Sequence, residues 1–233
     1  MRLNQLLSLK NITSRRQADE WIKKSWVKVN KKIITEMGAQ VSEKDLVEIS
    51  AKAFAKQKIT LILNKPTGYV SMPEDPNYPS AYELLKTENQ YLDTPDSTQA
   101  PSFNSSQLSV CGRLDQDSHG LLLLTEDPVL VKKIIGEHSK VQKQYIVTVT
   151  GEITNEKVQK LCFGLSIEGQ KLRPAEVKQI SKNKLDFTLK EGKKRQIRRM
   201  CGLVGLQVQD LQRIRIGSYT LNHIPLGKWL KQA

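Results

Sequence analysis

The chain is poor in the residues that would mark several common functional classes. It has three cysteines in 233 residues, Cys111, Cys162 and Cys201. They are odd in number and widely spaced, without a CxxC pair, so neither a disulfide framework nor a zinc site is expected. The three histidines are scattered as well. No long apolar run and no signal peptide is visible, and the "LLLL" of residues 121–124 is far too short to span a bilayer. A soluble cytoplasmic protein without a membrane partner is the expectation. No phosphate-binding glycine loop, nucleotide fingerprint or internal repeat appears. Acidic residues are outnumbered 24 to 37 by Lys and Arg, which leaves a formal net charge of +13 and a pI near 9.6. Such a surface suits a polyanion, and nucleic acid is the usual one.

The positive charge is unevenly placed. Residues 1–58 carry thirteen Lys/Arg against six acids, and residues 191–233 carry nine against two. Each end therefore has a surplus of seven, as expected if two surfaces grip one polyanion.

Patterning divides the chain into a small unit at 1–50, a linker at 51–58 and a larger unit at 59–233. In "ITSRRQADEWIKK", Ser14 is a helix cap with Gln17 placed to complete a capping box. Ala18, Trp21 and Ile22 share one face of the helix. "WVKVNKKII" alternates and turns at Asn30-Lys31, predicting a hairpin, and "LVEIS" predicts a further strand. Beyond the linker, "KITLILNKP" reads as a strand with Ile59, Leu61 and Leu63 on one side. "QYIVTVTGEI" predicts a strand with Tyr145, Val147 and Val149 on one face. "ITNEKVQKLCFGL" predicts a helix capped at Thr154 or Asn155, and "KLDFTLKEG" another strand. Residues 86–107, rich in Ser, Thr, Asn, Asp and Gln, predict a long loop. Strands outnumber helices, which argues for an α+β fold with a mixed or antiparallel sheet.

"KKRQIRRMCGLVG" is informative at helical spacing. Ile197, Met200, Cys201 and Val204 form an apolar stripe. Arg195 and Arg199 lie opposite it, suited to phosphates or water. Arg198 borders the stripe and needs an anion if it is desolvated. A partner for it is offered by "CGRLDQDSHGLLLLTEDP", residues 111–128, where Arg113, Asp115 and Asp117 occupy a polar break between apolar runs. A carboxylate anchored on both sides is well held. Burial raises its pKa, and an arginine within about 4–6 Å lowers it. Such an aspartate can act as nucleophile or general base. On spacing alone a turn or helix cap is favoured over catalysis, and Asp117 or Ser118 suits that role.

"GRLDQDSHGLLLLT" resembles the signature of RNA pseudouridine synthases of the RsuA type. "LNKPTGYVS" is similar to the family's Lys-Pro-x-Gly segment and "KQYIVTV" to its Lys-x-Tyr strand. "EGKKRQIRRM" and "GLQVQDLQRIRIG" resemble its Arg-Gln-Ile-Arg-Arg-Met and Leu-x-Arg motifs. "RLNQLLSLKNITSRRQADEWIKKSWVKVNKK" is similar to the αL-type RNA-binding domain that precedes the catalytic domain. The chain departs from the pattern at Glu126-Asp127-Pro128, at Lys194, and at Ser25-Trp26 and Lys31, which replace glycine-containing turns.

The resemblance implies conversion of uridine to pseudouridine in RNA. Asp115 is implied as the essential carboxylate, attacking the anomeric carbon or assisting a glycal route. It implies Tyr145 stacked on the uracil, Arg198 paired with Asp115, and Arg113 filling the gap of the flipped base or holding the backbone. Substrate contacts are implied at Lys65, Arg195, Arg199, Leu211 and, in the N-terminal domain, Arg15 and Arg16. No metal or other cofactor is implied. The expected partner is ribosomal RNA, with the large-subunit branch favoured and a transfer RNA as second substrate, and the expected state is a monomer. A non-catalytic RNA-binding or ribosome-assembly factor, or a hydrolase releasing uracil, are the competing readings.

Overall fold

A computed structural model describes residues 1–10, 12–50, 53, 58–73, 76–92 and 103–232. It separates into two compact units, residues 1–59 with 126–130, and residues 60–125 with 131–233.

The first unit opens with α1 (Leu3–Leu9) and α2 (Arg15–Lys23). The Gln17 N–H donates to Ser14 Oγ at 3.1 Å, so the serine caps α2 as its position predicts. Ala18, Trp21 and Ile22 are buried together with Leu3, Leu6 and Leu7 of α1. Three strands follow, β1 (Val27–Val29), β2 (Lys32–Ile34) and β3 (Val47–Ile49), with β1 in the middle. Val27 pairs with Ile34 across the expected hairpin, whose turn residues Asn30 and Lys31 have φ of 50° and 68°. Ser25 is left-handed too, at 58°. Non-glycine residues held in this region carry strain. Most of the expected linker, residues 51–52 and 54–57, lies outside the described residues.

The larger unit is built on a mixed sheet. Its strands, in chain order, are β4 (Thr60–Lys65), β5 (Ser109–Val110), β6 (His119–Thr125), β7 (Lys143–Thr150), β10 (Glu176–Ser181), β11 (Lys184–Leu189), β12 (Gln207–Ile216), β13 (Tyr219–Thr220) and β14 (Trp229–Lys231). A separate small hairpin is formed by β8 (Ser166–Ile167) and β9 (Gln170–Lys171). The sheet order is β10-β11-β7-β12-β6-β4-β14, with β5 on β6 and β13 on β12. All pairs are antiparallel except β6 with β12. Gly120 permits that parallel contact. A Cβ there would lie 2.3 Å from the Arg213 carbonyl oxygen, and its φ is +101°.

β7 alternates as predicted, with Tyr145, Val147 and Val149 buried. β4 does not: Leu61, Ile62, Leu63, Asn64 and Lys65 are all buried. It lies between β6 and β14, and both its faces are covered, so the single-sided expectation fails. Helix α3 (Pro128–Ile135) runs from residues of the first unit into the second, and α4 (Asn155–Cys162) and α5 (Gln196–Leu203) complete the larger unit. Thr154 Oγ1 caps α4 by accepting from Lys157 N. Asp127 Oδ1 accepts from Val129 N, and Pro128 opens α3. This gives the departing Glu-Asp-Pro triplet a helix-starting role. The stripe of α5, Ile197, Met200 and Cys201 with Val204 just beyond, packs into one core with Tyr145, Val147, Phe187 and Leu211. Within 86–107 the described parts are not simply open loop. Thr87–Asn89 and Ser105–Gln107 form 3-10 turns, and Phe103 stands edge-on to Trp229 at 5.4 Å. Residues 93–102 lie outside the described residues.

Candidate active site

The polar break between β5 and β6 is held at every step. The Gly112 and Arg113 carbonyls accept from Arg213 Nη2 and Nη1 at 2.7 and 3.2 Å. Ser71 Oγ donates to the Leu114 carbonyl at 2.7 Å and accepts from Leu114 N at 2.8 Å. The Asp115 carbonyl accepts from Ser118 N, and the Gln116 carbonyl from Gly68 N. The Asp117 carbonyl accepts from Arg198 Nη2 at 2.7 Å. Six successive carbonyls are thus engaged, and the loop is set by partners from three other chain segments. Expected anchoring at the two ends is exceeded, which fixes the direction of the half-buried Asp115 side chain.

That side chain faces a cleft of about 780 Å³ in the larger unit. Arg113, Asp115 and Ser118 line it from the loop, Lys143 and Tyr145 from β7, and Leu211 and Arg213 from β12. Residues 191–198, at the entry to α5, line the far side. Asp115, Tyr145, Arg198, Arg113, Arg195 and Leu211 are therefore brought together as expected. Arg199 is not part of the lining. It faces outward and pairs with Glu168 at 2.8 Å. Arg15 and Arg16 are exposed at the start of α2 in the first unit.

Two expectations need correction. Arg198 does not pair with Asp115. Its Nε lies 3.3 Å from Asp117 Oδ2, and among the described residues no cation reaches ion-pair distance of the Asp115 carboxylate. The helical wheel places Arg198 on the cleft side correctly, but Asp117 reaches it first. Lys65, expected at the substrate, is fully buried. Its Nζ donates to the carbonyls of Pro66 and Tyr69 at 2.9 and 2.8 Å. Burial, and then the nearby Arg213 charge, push its pKa down to about 8, while Asp115 and Asp117 oppose that shift.

The sequence reading missed two groups and gave a third only a capping role. Arg213 is fully buried and donates through Nε to the Leu121 carbonyl at 2.8 Å, besides its two bonds to the loop. Burial lowers its pKa, and Tyr145, Cys111 and Asp115 work against that. Lys143 is buried and donates to the Ile134 carbonyl at 3.3 Å, near the end of α3. Burial and Arg213 lower its pKa as well. Asp117 is the third. Burial raises its carboxyl, but the hydrogen bond from Arg195 and the charges of Arg198 and Arg195 outweigh this and hold it below the usual range. The signal for Arg213 was present: it follows Leu211 by two on a strand, so both face the same side.

The arrangement offers an anchored carboxylate, an aromatic ring, several cations and no charge partner already fitted to Asp115. Among the described residues no group of acids, histidines and cysteines is placed to hold a metal. No helix of the described residues is long and apolar enough to cross a membrane.

Comparison with known proteins agrees with this arrangement. Residues 59–202 match the model of the RNA pseudouridylate synthase family, and residues 1–47 match that of the S4 domain. The chain belongs to the RNA pseudouridylate synthase family. It is 34% identical to the dual-specificity RNA pseudouridine synthase RluF of Escherichia coli K12, over 98% of this chain and 74% of that protein. It is 32% identical to the ribosomal large subunit pseudouridine synthase B of Bacillus subtilis, over 97% and 89%. A crystal structure of a pseudouridylate synthase superposes with a TM-score of 0.68 at 25% identity, covering all of this chain and 96% of the other. The protein is thus a pseudouridine synthase with an N-terminal S4 domain, and its sheet is the mixed one expected of an α+β fold.

Proposed function

We propose that this enzyme isomerises a specific uridine of large-subunit ribosomal RNA in the 780 Å³ cleft, with Asp115 as the reacting carboxylate. The observation that carries the reading is the convergence of Asp115, Tyr145 and Arg198 on that one cleft. In the reaction the bond from ribose C1′ to uracil N1 breaks and a bond from C1′ to C5 forms. C5 loses a proton and N1 gains one, so nothing is consumed. Asp115 acts at C1′, the carbon common to both bonds. Tyr145, packed in the β7 wall, supplies a face for the uracil. Arg113, at the exposed edge of the loop, holds the place the base leaves. Extruding a base costs a few kcal/mol, which stacking and phosphate contacts offset. Arg195 and Arg198 flank the entry, Leu211 forms an apolar wall, Arg199 contacts a phosphate outside the cleft, and Arg15 and Arg16 of the first unit contact phosphates of the same RNA. Lys65 serves from behind the loop, not at the RNA.

The division proposed is an RNA-binding domain at 1–50, a linker at 51–58 and a catalytic domain at 59–233. The basic surroundings of the cleft suit an RNA, and a cytoplasmic monomer is the state proposed. The large-subunit substrate is supported by the name of the Bacillus relative. A transfer RNA is the second candidate.

Mapping pseudouridine in cellular RNA with and without the protein tests the proposal. One or a few sites in large-subunit RNA should disappear with the protein. Unchanged sites with a defect in subunit assembly would support a non-catalytic factor instead. Free uracil from purified protein and RNA would indicate a hydrolase.

A further inference from the structure

A surface of the larger unit outside the cleft combines an open aromatic ring with cations. Phe163 is the C-cap residue of α4, with an extended backbone (φ −153°, ψ 143°). Its N–H donates to the Gln159 carbonyl at 3.1 Å, while the residue is 63% exposed, the most of any large hydrophobic among the described residues. A lone exposed apolar side chain is ordinary. This one has company: Lys171 Nζ stands over its ring, 5.0 Å from the centroid. Lys171 belongs to the β8–β9 hairpin, and that hairpin is fixed in place. Its turn residues Glu168 and Gly169 have φ of 53° and 73°, the left-handed pair that a tight hairpin uses. Ile167 and Leu172, on its two arms, are buried in the core that also holds Tyr145. Glu168 pairs with Arg199 of α5 at 2.8 Å. Gln170 Oε1 accepts from Lys193 Nζ at 2.9 Å, and Lys193 lines the cleft. The ring, the cation over it and the rim of the reaction site therefore share one ordered platform.

We propose that Phe163 is a stacking platform for a second base of the substrate RNA, outside the cleft, with Lys171 meeting the adjoining phosphate. The occupant is argued from chemistry on both sides of the ring. Lys193 and Lys194 line the cleft on this side, and Lys171 and Arg199 carry positive charge beyond it. The acid among them, Glu168, is already held by Arg199. A nucleic-acid strand supplies the two things such a surface takes, a flat π face and a phosphate. An acidic peptide would match the lysines and leave the ring unused. Because the hairpin is ordered beforehand, little freedom is lost when the base arrives. Stacking accepts any base, so this contact fixes the register of the RNA rather than reading its sequence. It adds affinity and leaves the chemistry at Asp115 alone. The inference rests on the proposed RNA substrate.

The test uses the full chain, large-subunit RNA from cells lacking the protein, and the variants Phe163→Ala, Phe163→Leu, Phe163→Trp and Lys171→Gln. Phe163→Ala should raise the RNA Kd about tenfold, with the single-turnover rate at saturating RNA within about twofold and the melting temperature unchanged. Phe163→Leu should bind as poorly as Phe163→Ala, since it keeps an apolar side chain but no π face. Phe163→Trp should bind within about threefold of the unaltered protein, and the fluorescence it adds should fall by about half at saturating RNA. Lys171→Gln should weaken binding about threefold and reduce the slope of log affinity against log salt by about one. A Kd for Phe163→Ala within about twofold of normal would overturn the proposal. So would full affinity in Phe163→Leu, or emission from Phe163→Trp that RNA leaves unchanged. Normal affinity for free RNA with modification lost in cells would put a protein on the ring instead, and the proposal would fall. If the unaltered protein does not bind large-subunit RNA, the substrate reading falls and this one with it. If it binds and modifies that RNA and Phe163→Ala is unimpaired, only this one falls.

Discussion

Two sets of cations bracket the Asp115 loop, and they are bound in opposite ways. Behind it, Lys65, Lys143 and Arg213 are buried and donate to backbone carbonyls. In front, Arg195, Arg198 and Arg199 sit at or near the surface and pair with the carboxylates of Asp117 and Glu168. Depth decides the partner. A carbonyl satisfies a donor without cancelling its charge, so the rear set leaves a positive field beneath Asp115 and carries depressed pKa values. A carboxylate cancels the charge, and in exposed pairs water and salt make the bond exchangeable. The rear set is therefore built to hold a geometry, and the front set to meet a substrate.

Breaking the rear set should have the larger effect. Arg213→Met leaves three carbonyls without donors and frees the loop at Gly112 and Arg113. Each buried unsatisfied group costs about 1–3 kcal/mol, offset in part by removal of a buried charge. The melting temperature should fall by several degrees and the rate by about a hundredfold. A folded Arg213→Met protein with unchanged rate would end the distinction between the two sets.

Lys65 sharpens the comparison through pH. Its folded pKa of about 8 lies below its ordinary value of 10.5. Below about 8 it is protonated in both folded and unfolded states, and the full cost of burying its charge is present, on the order of 3 kcal/mol. Between about 8 and 10.5 the unfolded chain binds more protons, so this group makes the fold progressively more stable as pH rises. Activity should move the other way, since loss of the charge removes an attraction to Asp115. A falling limb in the single-turnover rate above pH 8 is expected, and it should vanish in Lys65→Met, whose rate at pH 7 should be about a tenth of normal.

The smallest effect on chemistry belongs to the first unit. Arg15→Gln with Arg16→Gln should weaken RNA binding by about tenfold at moderate salt and reduce the slope of log affinity against log salt by about one to two. The rate at saturating RNA should not change. A rate loss at saturation would mean these arginines do more than bind.

Much of this was legible in the sequence where one periodicity governs one face. Ser14 and the Ala18, Trp21, Ile22 face specify α2, and alternation from Tyr145 to Val149 specifies β7. The stripe from Ile197 to Val204 placed Arg198 toward the cleft. What failed needed knowledge of both sides of an element. β4 reads as alternating because Thr60 and Asn64 are polar, yet with both its faces covered Asn64 and Lys65 are buried too. α1 has no side-chain cap and no acidic first turn, so local signals were absent. The Arg198 partner was misassigned because a helical wheel gives a direction, not the distance that separates Asp115 from Asp117. Arg213 escaped notice because its depth is set by the parallel neighbour β6, far away in sequence.

The central claim is that the half-buried Asp115 carboxylate is the group that reacts. Its most direct test is single-turnover pseudouridine formation by Asp115→Asn on large-subunit RNA, measured with the RNA Kd. The account predicts no detectable pseudouridine with a Kd within about threefold of normal. Pseudouridine formed at a rate near that of the unaltered protein would contradict it.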